Sequence, residues 1–82
     1  MKAYTYILFS ESAGRYYTGS CDDLKKRFKR QNSSGVRSTR YGVPWALRWY
    51  RELPIRSEAR RLELKIKKRG AKRFLEGLSK ET

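Results

Sequence analysis

The sequence lacks histidine and contains a single cysteine, Cys21. The absence of histidine excludes histidine-ligated metals, a histidine general base and a Ser-His-Asp triad together. One cysteine excludes an internal disulfide and a zinc site built from cysteines. Any metal that this chain binds must therefore be held by oxygen ligands.

Acidic residues and long apolar runs are scarce as well. The chain has 8 acidic against 21 basic residues, a formal net charge of +13. This excess favours a polyanionic partner such as nucleic acid, although a binding protein without chemistry would share it. No run approaches the roughly 18 apolar residues of a membrane span. The first ten residues are too polar for a secretory signal, so we expect a cytoplasmic protein.

The sequence does contain enough apolar material for one small core. Its 82 residues and hydrophobic fraction of 38% predict a single domain over residues 1–82. Apolar periodicity and turn residues predict strands at 3–9, 16–19 and 45–51, and helices at 23–31, 58–68 and 71–78. The order β-β-α-β-α-α predicts an α+β fold, a small three-stranded antiparallel β-sheet flanked by α-helices.

Local signals add detail to these elements. Asp22 or Asp23 is a suitable N-cap for the first helix, and Ser57 for the second. Residues 33–44 are predicted to form a basic loop. Trp45 and Trp49 are four residues apart on the third predicted strand, so we expect them to share a face, mainly as core.

Two charged residues interrupt the apolar faces of the predicted helices. Arg27 lies on the helical stripe that contains Leu24 and Phe28. Glu63 lies four residues after Ala59, on the apolar face of the next long helix. A carboxylate on a packed face needs a partner or a cation.

These charges admit two interpretations. In the structural one, Arg27 and Glu63 form a salt bridge between helices. In the functional one, they line a cleft with nearby tyrosines. The arginine would fork onto a phosphate, and the carboxylate would hold Mg²⁺, which takes only one or two protein carboxylates. The second interpretation describes phosphodiester chemistry with a single metal.

The order and spacing of these motifs resemble the GIY-YIG nuclease domain over nearly the whole chain. YTYIL at 4–8 resembles the first family motif, with Tyr6 in the tyrosine slot, and YTG at 17–19 resembles the second. The later segments resemble short stand-alone members: DLKKR (23–27), STRYGVPW (38–45) and SEARRLELKIKK (57–68). In this likeness Arg27 occupies the arginine slot and Glu63 the metal-binding slot.

The resemblance implies a metal-dependent DNA endonuclease and a role for each matched residue. Arg27 would contact the scissile phosphate, and Glu63 would bind one Mg²⁺ or Mn²⁺. Tyr6 and Tyr17 would position, and could deprotonate, the attacking water. The auxiliary candidates are Gln31, Asn32 and Lys67. Basic residues expected to approach DNA are Lys25, Lys26, Lys29, Arg30, Arg37 and Arg40.

The resemblance also implies a biological setting. The partner would be DNA, in repair or recombination, recognised by its shape or with the help of a partner protein. The chain itself is expected to be a monomer. Fold-level likeness alone does not fix a substrate.

One position departs from the family pattern. Members often carry histidine, sometimes tyrosine, four residues after the arginine, where this chain has Gln31. Glutamine hydrogen-bonds water or phosphate but cannot act as a base near neutral pH. Two functions therefore stay open. One is a nuclease that relies on tyrosine or metal-activated water, and the other is a nucleic-acid-binding module of the same fold with weak or lost turnover.

Overall fold

A computed structural model describes residues 2–33 and 37–80, with the backbone only for residues 37–39 and 80. The described residues form, in chain order, β1 (Ala3–Ser10), β2 (Arg15–Cys21), α1 (Leu24–Gln31), a 3₁₀ helix (Arg37–Gly42), β3 (Ala46–Leu53), α2 (Arg56–Arg69) and α3 (Ala71–Lys80). The predicted order β-β-α-β-α-α is confirmed. Within these residues no helix is long and apolar enough to cross a membrane.

The strands form one antiparallel sheet in the order β2-β1-β3, with β1 in the centre. A tight turn joins β1 to β2, where the Gly14 N–H donates to the Ser10 carbonyl at 2.8 Å. Gly14 has a φ of +63°, a conformation that glycine adopts without steric cost. Because β2 is an edge strand, side chains from both faces of the sheet meet along its free edge.

Helices cover both faces of the sheet. On one face, Leu24 and Phe28 of α1 pack against a buried cluster that includes Tyr6 and Leu8 of β1. On the other face, the Thr5 hydroxyl donates to the Ala59 carbonyl of α2 at 2.7 Å. The alternation of β1 side chains therefore divides the molecule into an α1 layer and a layer made of α2 and α3.

The helix ends show which capping predictions hold. The Asp23 carboxylate accepts a hydrogen bond from the Lys26 N–H at 3.0 Å, which confirms an aspartate cap for α1. The prediction of Ser57 as the cap of α2 is wrong, because α2 begins at Arg56 and its N-cap is Ile55 in an extended conformation. Ser57 instead lies in the first turn of the helix, two residues after the observed N-cap.

The expectation that Trp45 and Trp49 share a face is also wrong. Trp45 precedes β3 and packs on the α1 side against Tyr17, with ring centroids 6.0 Å apart. Trp49 lies opposite Ile7 in the sheet and packs against Phe74 of α3, with centroids 4.9 Å apart. The pairing of β1 with β3 shifts register between Ile7 and Leu8. This irregularity breaks the simple alternation on which the expectation depended.

β2 is longer than predicted at both ends, and β3 extends beyond its predicted end. β2 was predicted over 16–19 but spans seven residues, because pairing with β1 continues from Arg15 opposite Ser10 to Cys21 opposite Tyr4. β3 continues to Leu53, directly before Pro54. Cys21 therefore ends a strand, and burial raises the pKa of its thiol.

Candidate active site

A cavity of about 440 Å³ opens along the free edge of β2 and takes residues from both layers of the molecule. The residues that line it are Tyr6, Tyr17, Gly19, Ser20, Arg27, Arg56, Arg60, Glu63 and Lys67. The four residues predicted to be catalytic, Tyr6, Tyr17, Arg27 and Glu63, are thus brought to one place, although they come from four different elements.

Tyr6 reaches the cavity because Gly19 lies opposite it on β2. A Cβ atom at position 19 would lie 2.5 Å from the Tyr6 hydroxyl oxygen and 2.7 Å from its Cζ. Real Cβ atoms do not approach other atoms so closely, so any side chain here would move a fully buried ring. The glycine of YTG is therefore required by the position of the Tyr6 phenol.

Gln31 fixes the direction of the Tyr6 hydroxyl proton. The hydroxyl donates to the Gln31 side-chain oxygen at 3.2 Å, and both residues are buried. Burial and the neighbouring Tyr17 raise the pKa of Tyr6 above its ordinary value, and Arg27 only partly opposes them. Tyr6 is therefore a neutral phenol that donates its hydrogen bond to Gln31, and its oxygen is the acceptor that faces Arg27.

Arg27 projects from α1 into the cavity, next to the Tyr6 hydroxyl. Its guanidinium favours the ionised form of Tyr6 through charge and through a hydrogen bond. In the described part of the chain Arg27 and Glu63 do not form an ion pair, because the ion pairs of Glu63 go to Arg60 and Lys67 of its own helix. The salt bridge between helices that the structural interpretation required is therefore not formed.

Glu63 projects from α2 toward the edge of β2, and its carboxylate is buried. The Ser20 hydroxyl donates to Glu63 Oε1 at 2.6 Å, and Lys67 Nζ lies 2.7 Å from Oε2. Arg60 Nη1 lies 3.3 Å from Oε1 and 3.2 Å from Oε2. Burial acts to raise the pKa of Glu63, but the hydrogen bonds from Lys67 and Ser20 and the charges of Lys67 and Arg60 outweigh it. The pKa is therefore below its ordinary value.

The oxygen ligands of the cavity fit a metal that needs few protein ligands. The described residues contain no cluster of three or more histidine, cysteine, aspartate or glutamate side chains that could enclose a metal ion. Glu63 is the one carboxylate among the residues that line the cavity. Mg²⁺ keeps several waters and is bound through one or two carboxylates together with substrate phosphate. The donor set therefore fits an ion shared between this protein and a phosphodiester.

Four residues of the cavity wall were not among the predicted site residues: Gly19, which belongs to the YTG motif, and Ser20, Arg56 and Arg60. The two arginines carried a readable signal, because 56, 60, 63 and 67 follow the i, i+4, i+7, i+11 spacing of one helical face. Ser20 needed the strand register, since its pairing with Thr5 turns it toward α2 rather than α1.

Asn32 lies apart from the cavity. Its side chain accepts a hydrogen bond from the Trp45 N–H and donates to the Trp45 carbonyl, the latter at 3.0 Å. These two bonds attach the end of α1 to the residue that precedes β3. The structure therefore places Asn32 in a support of the fold.

Of the predicted DNA-approach residues of α1, Lys26 and Arg30 lie beside Arg27. A second, smaller cavity of about 190 Å³ is lined by Asp22, Asp23, Lys26, Arg27 and Arg30, so Arg27 borders both cavities. Lys25 and Lys29 are exposed on the same helix, and Arg40 is exposed in the 3₁₀ helix. The side chain of Arg37 lies outside the described residues.

Known proteins share both this sequence pattern and this fold. Residues 2–76 match the family model of the GIY-YIG catalytic domain. UPF0213 proteins of Streptococcus pyogenes serotype M5 (strain Manfredo) and serotype M2 (strain MGAS10270) are each 40% identical over 70 residues, which cover 83% of this chain and 74% of theirs. The solution NMR structure of the UPF0213 protein BH0048 from Bacillus halodurans superposes with a TM-score of 0.58 at 31% identity, covering 96% of this chain and 84% of that one.

Proposed function

The chain belongs to the GIY-YIG family, a nuclease family, and from that premise we propose that it is a metal-dependent DNA endonuclease. It would hydrolyse a phosphodiester bond by in-line attack of an activated water. The observation that carries the proposal is the cavity at the edge of β2, where Arg27 and Tyr6 from one layer face Glu63 from the other.

Arg27 is the residue suited to hold the scissile phosphate. Its guanidinium reaches the cavity beside the Tyr6 hydroxyl and can place two parallel N–H bonds on a phosphate. The same charge opposes the negative charge that grows on the phosphoryl oxygens as water attacks. Arg56, Arg60 and Lys67 line the same cavity and can hold neighbouring phosphates.

Tyr6 is the residue suited to orient the attacking water. Because its own proton is directed to Gln31, the Tyr6 oxygen can only accept, and it can accept from water once the Arg27 guanidinium turns to the phosphate. Tyr17, whose ring centroid is 6.5 Å from that of Tyr6, offers a second hydroxyl that can relay the water's proton, taking it up on oxygen as it releases its own proton to solvent. As the water oxygen bonds to phosphorus, the bond to the leaving deoxyribose oxygen breaks, and that oxygen takes up a proton.

Glu63 is the residue suited to hold Mg²⁺ or Mn²⁺. When bound there, the ion supplies positive charge that makes water easier to deprotonate and offsets charge on the phosphate. The hydrogen bond from Ser20 of β2 holds the carboxylate in place, so Glu63 is positioned before substrate arrives. A surface that only bound phosphates through arginine and lysine would not need a buried carboxylate, so Glu63 among four cations supports a role with a metal ion.

The test is cleavage of branched, nicked and linear DNA with Mg²⁺, Mn²⁺ or EDTA, by the protein and by Glu63→Gln. We expect metal-dependent cuts that fall by roughly 100-fold or more in the variant, since several kcal/mol of charge stabilisation would be lost. Glu58→Gln is the matched control, because Glu58 is exposed in the first turn of the same helix. Cleavage that persists in EDTA, or in Glu63→Gln, would contradict the proposal.

The choice among the DNA substrates bears on specificity. The cavity wall presents arginines and a lysine, groups that bind phosphates and thereby position a protein without reading base edges. We therefore propose selection by DNA structure, in repair or recombination, with a partner protein as a further source of specificity. Equal cleavage of all three substrates would contradict selection by structure while leaving the nuclease proposal intact.

One observation favours a second candidate, a DNA-binding module with little turnover. The slot that often carries histidine in relatives holds Gln31, which is buried and committed to Tyr6. A glutamine in that position supplies no base near neutral pH. Salt-sensitive DNA binding without cleavage under any metal, unchanged in Glu63→Gln, would support this candidate over the nuclease.

A further inference from the structure

The Glu63 carboxylate is fully engaged by side chains of this protein. A carboxylate offers about four acceptor positions, and here both oxygens are contacted by donors. Lys67 lies on Oε2 and Arg60 bridges both oxygens. Ser20 lies on Oε1. Two of these three donors are cations, which occupy positions that a divalent ion would need.

The two cations are much less firmly held than the carboxylate. The side chains of Lys67 and Arg60 are 50% and 61% exposed, whereas that of Glu63 is 4% exposed. Both cationic side chains belong to α2 and also line the cavity. They can therefore turn from Glu63 to a phosphate in the same cavity without losing a buried position, whereas Glu63 stays where Ser20 and the packing of α2 hold it.

The charge of the cavity acts in the same direction. Its lining contains the four cations Arg27, Arg56, Arg60 and Lys67 and a single carboxylate, so its net charge is positive before substrate arrives. A divalent cation is repelled from such a site, and the repulsion is strong where side chains exclude water. A DNA phosphate lowers the positive charge of the cavity and gives Lys67 and Arg60 a new partner.

We propose that, in the DNA-free protein, the ion pairs of Lys67 and Arg60 with the Glu63 carboxylate prevent a metal ion from binding there. DNA phosphates then draw both cations away and leave the carboxylate free to bind the metal. Lys67 is then a positioning residue with two states, one on Glu63 and one on phosphate. This inference rests on the proposed function for the identity of the substrate. Because binding linkage is reciprocal, the metal must strengthen DNA binding by the same factor by which DNA strengthens metal binding. The protein would thus bind its metal ion after it has bound DNA, rather than before.

The first experiment measures Mn²⁺ binding to the DNA-free protein by electron paramagnetic resonance. Lys67→Met removes the charge and keeps a flexible chain, and we expect it to bind Mn²⁺ at least about fivefold more tightly than the unmodified protein. Lys67→Arg restores a cation and should return the affinity toward the original value. Lys68→Met is the matched control, because Lys68 is exposed on the same helix and does not line the cavity. Glu63→Gln in the Lys67→Met background should abolish the gain.

The second experiment measures the affinity for a short fluorescent duplex with and without Mn²⁺, at constant ionic strength and within a time too short for cleavage. The metal should strengthen binding by the unmodified protein relative to Glu63→Gln, which corrects for screening of the DNA. Equal Mn²⁺ affinity of the protein and Lys67→Met, or binding by neither, would overturn the inference. These readouts do not depend on cleavage. A protein that cuts DNA through Glu63 without this Mn²⁺ difference would refute the inference and leave the nuclease proposal standing.

Discussion

The two halves of the cavity are built by different physical means. The α1 half is neutral and buried apart from Arg27, and Tyr6 is fixed there by Gly19 beneath its ring and Gln31 at its hydroxyl. The α2 half is ionic: Glu63 is buried, but its cationic partners Arg60 and Lys67 are half-exposed. The first half thus depends on packing and a directed hydrogen bond, and the second on charges that can exchange partners.

This difference separates what each half contributes. Close-packed neutral groups hold one geometry, because moving them opens a cavity or strands a buried polar atom. Exposed cations around a carboxylate contribute little to stability but respond to any new charge. Substitutions in the α1 half should therefore change folding and water positioning together. Substitutions in the α2 half should change ion and DNA binding while the fold remains.

The largest effect on stability is expected for Gly19→Ala. The added Cβ would fall 2.5 Å from the Tyr6 hydroxyl and 2.7 Å from its ring, so the buried phenol must shift. Overpacking of this kind costs typically about 1–3 kcal/mol, and moving the Tyr6 hydroxyl also disturbs its hydrogen bond to Gln31. Urea titration gives the free energy of unfolding, and cleavage assays should show lost activity beyond any loss of folded protein.

The same substitution in a Tyr6→Phe background tests the mechanism. Removing the hydroxyl removes the closest of the three contacts, so Gly19→Ala should cost less in that background than in the original chain. Strict additivity of the two substitutions would show that the contact between Gly19 and Tyr6 is not the cause.

An intermediate effect is expected at Gln31. Gln31→Leu preserves approximate size but leaves the buried Tyr6 hydroxyl without its acceptor, at a cost of about 1–2 kcal/mol. The hydroxyl is then free to rotate, so kcat should fall while KM for DNA stays near its original value. Gln31→His retains an acceptor in its neutral form and should preserve stability better than leucine. If Gln31→Leu raises KM and leaves kcat unchanged, Gln31 acts on DNA binding rather than on Tyr6.

From the sequence, several residues of both halves of the cavity could be predicted, but the contacts between them could not. Arg27 and Glu63 were found because each interrupts an apolar helical stripe, and the family motif supplied Tyr6 and Tyr17. These signals depend on spacing within one element. The contact between Gln31 and Tyr6 joins residues 25 positions apart, and the contact between Ser20 and Glu63 joins residues 43 apart. Such contacts can be predicted only when the strand register and the docking of the helices are known.

The same limit explains the errors. The expectation that Trp45 and Trp49 share a face assumed that side chains alternate without interruption along β3. A register shift in the pairing of β1 with β3 interrupts that alternation. The cap of α2 followed residue preference, but the helix began one residue before the favoured serine. The spacing of Arg60 places it on the helical face of Glu63, but an arginine on so basic a helix is not distinguished by spacing alone. Local chemistry therefore predicted which residues reach the cavity more reliably than it predicted what they touch.

The smallest effect is expected from acid, and it is confined to the α2 half. Since the pKa of folded Glu63 is below the ordinary value of 4.5, the unfolded chain binds its proton first as pH falls. The stabilisation from Glu63 is therefore present above about pH 4.5 and is lost as pH falls through the lower folded value. The loss should be under about 1 kcal/mol, because the partners of Glu63 are half-exposed and screened.

Thermal unfolding between pH 3 and pH 6 isolates this contribution when the chain is compared with Glu63→Gln. The difference in melting temperature between the two should shrink as pH falls and should shrink further in high salt. Gln31→Leu provides the contrast, because neither Tyr6 nor Gln31 titrates in this range. The difference in melting temperature between this variant and the unmodified chain should therefore stay nearly constant with pH. If the Gln31→Leu deficit instead followed pH as the Glu63→Gln deficit does, the two halves would be one electrostatic unit. The separation between a packed half and an ionic half would then be wrong.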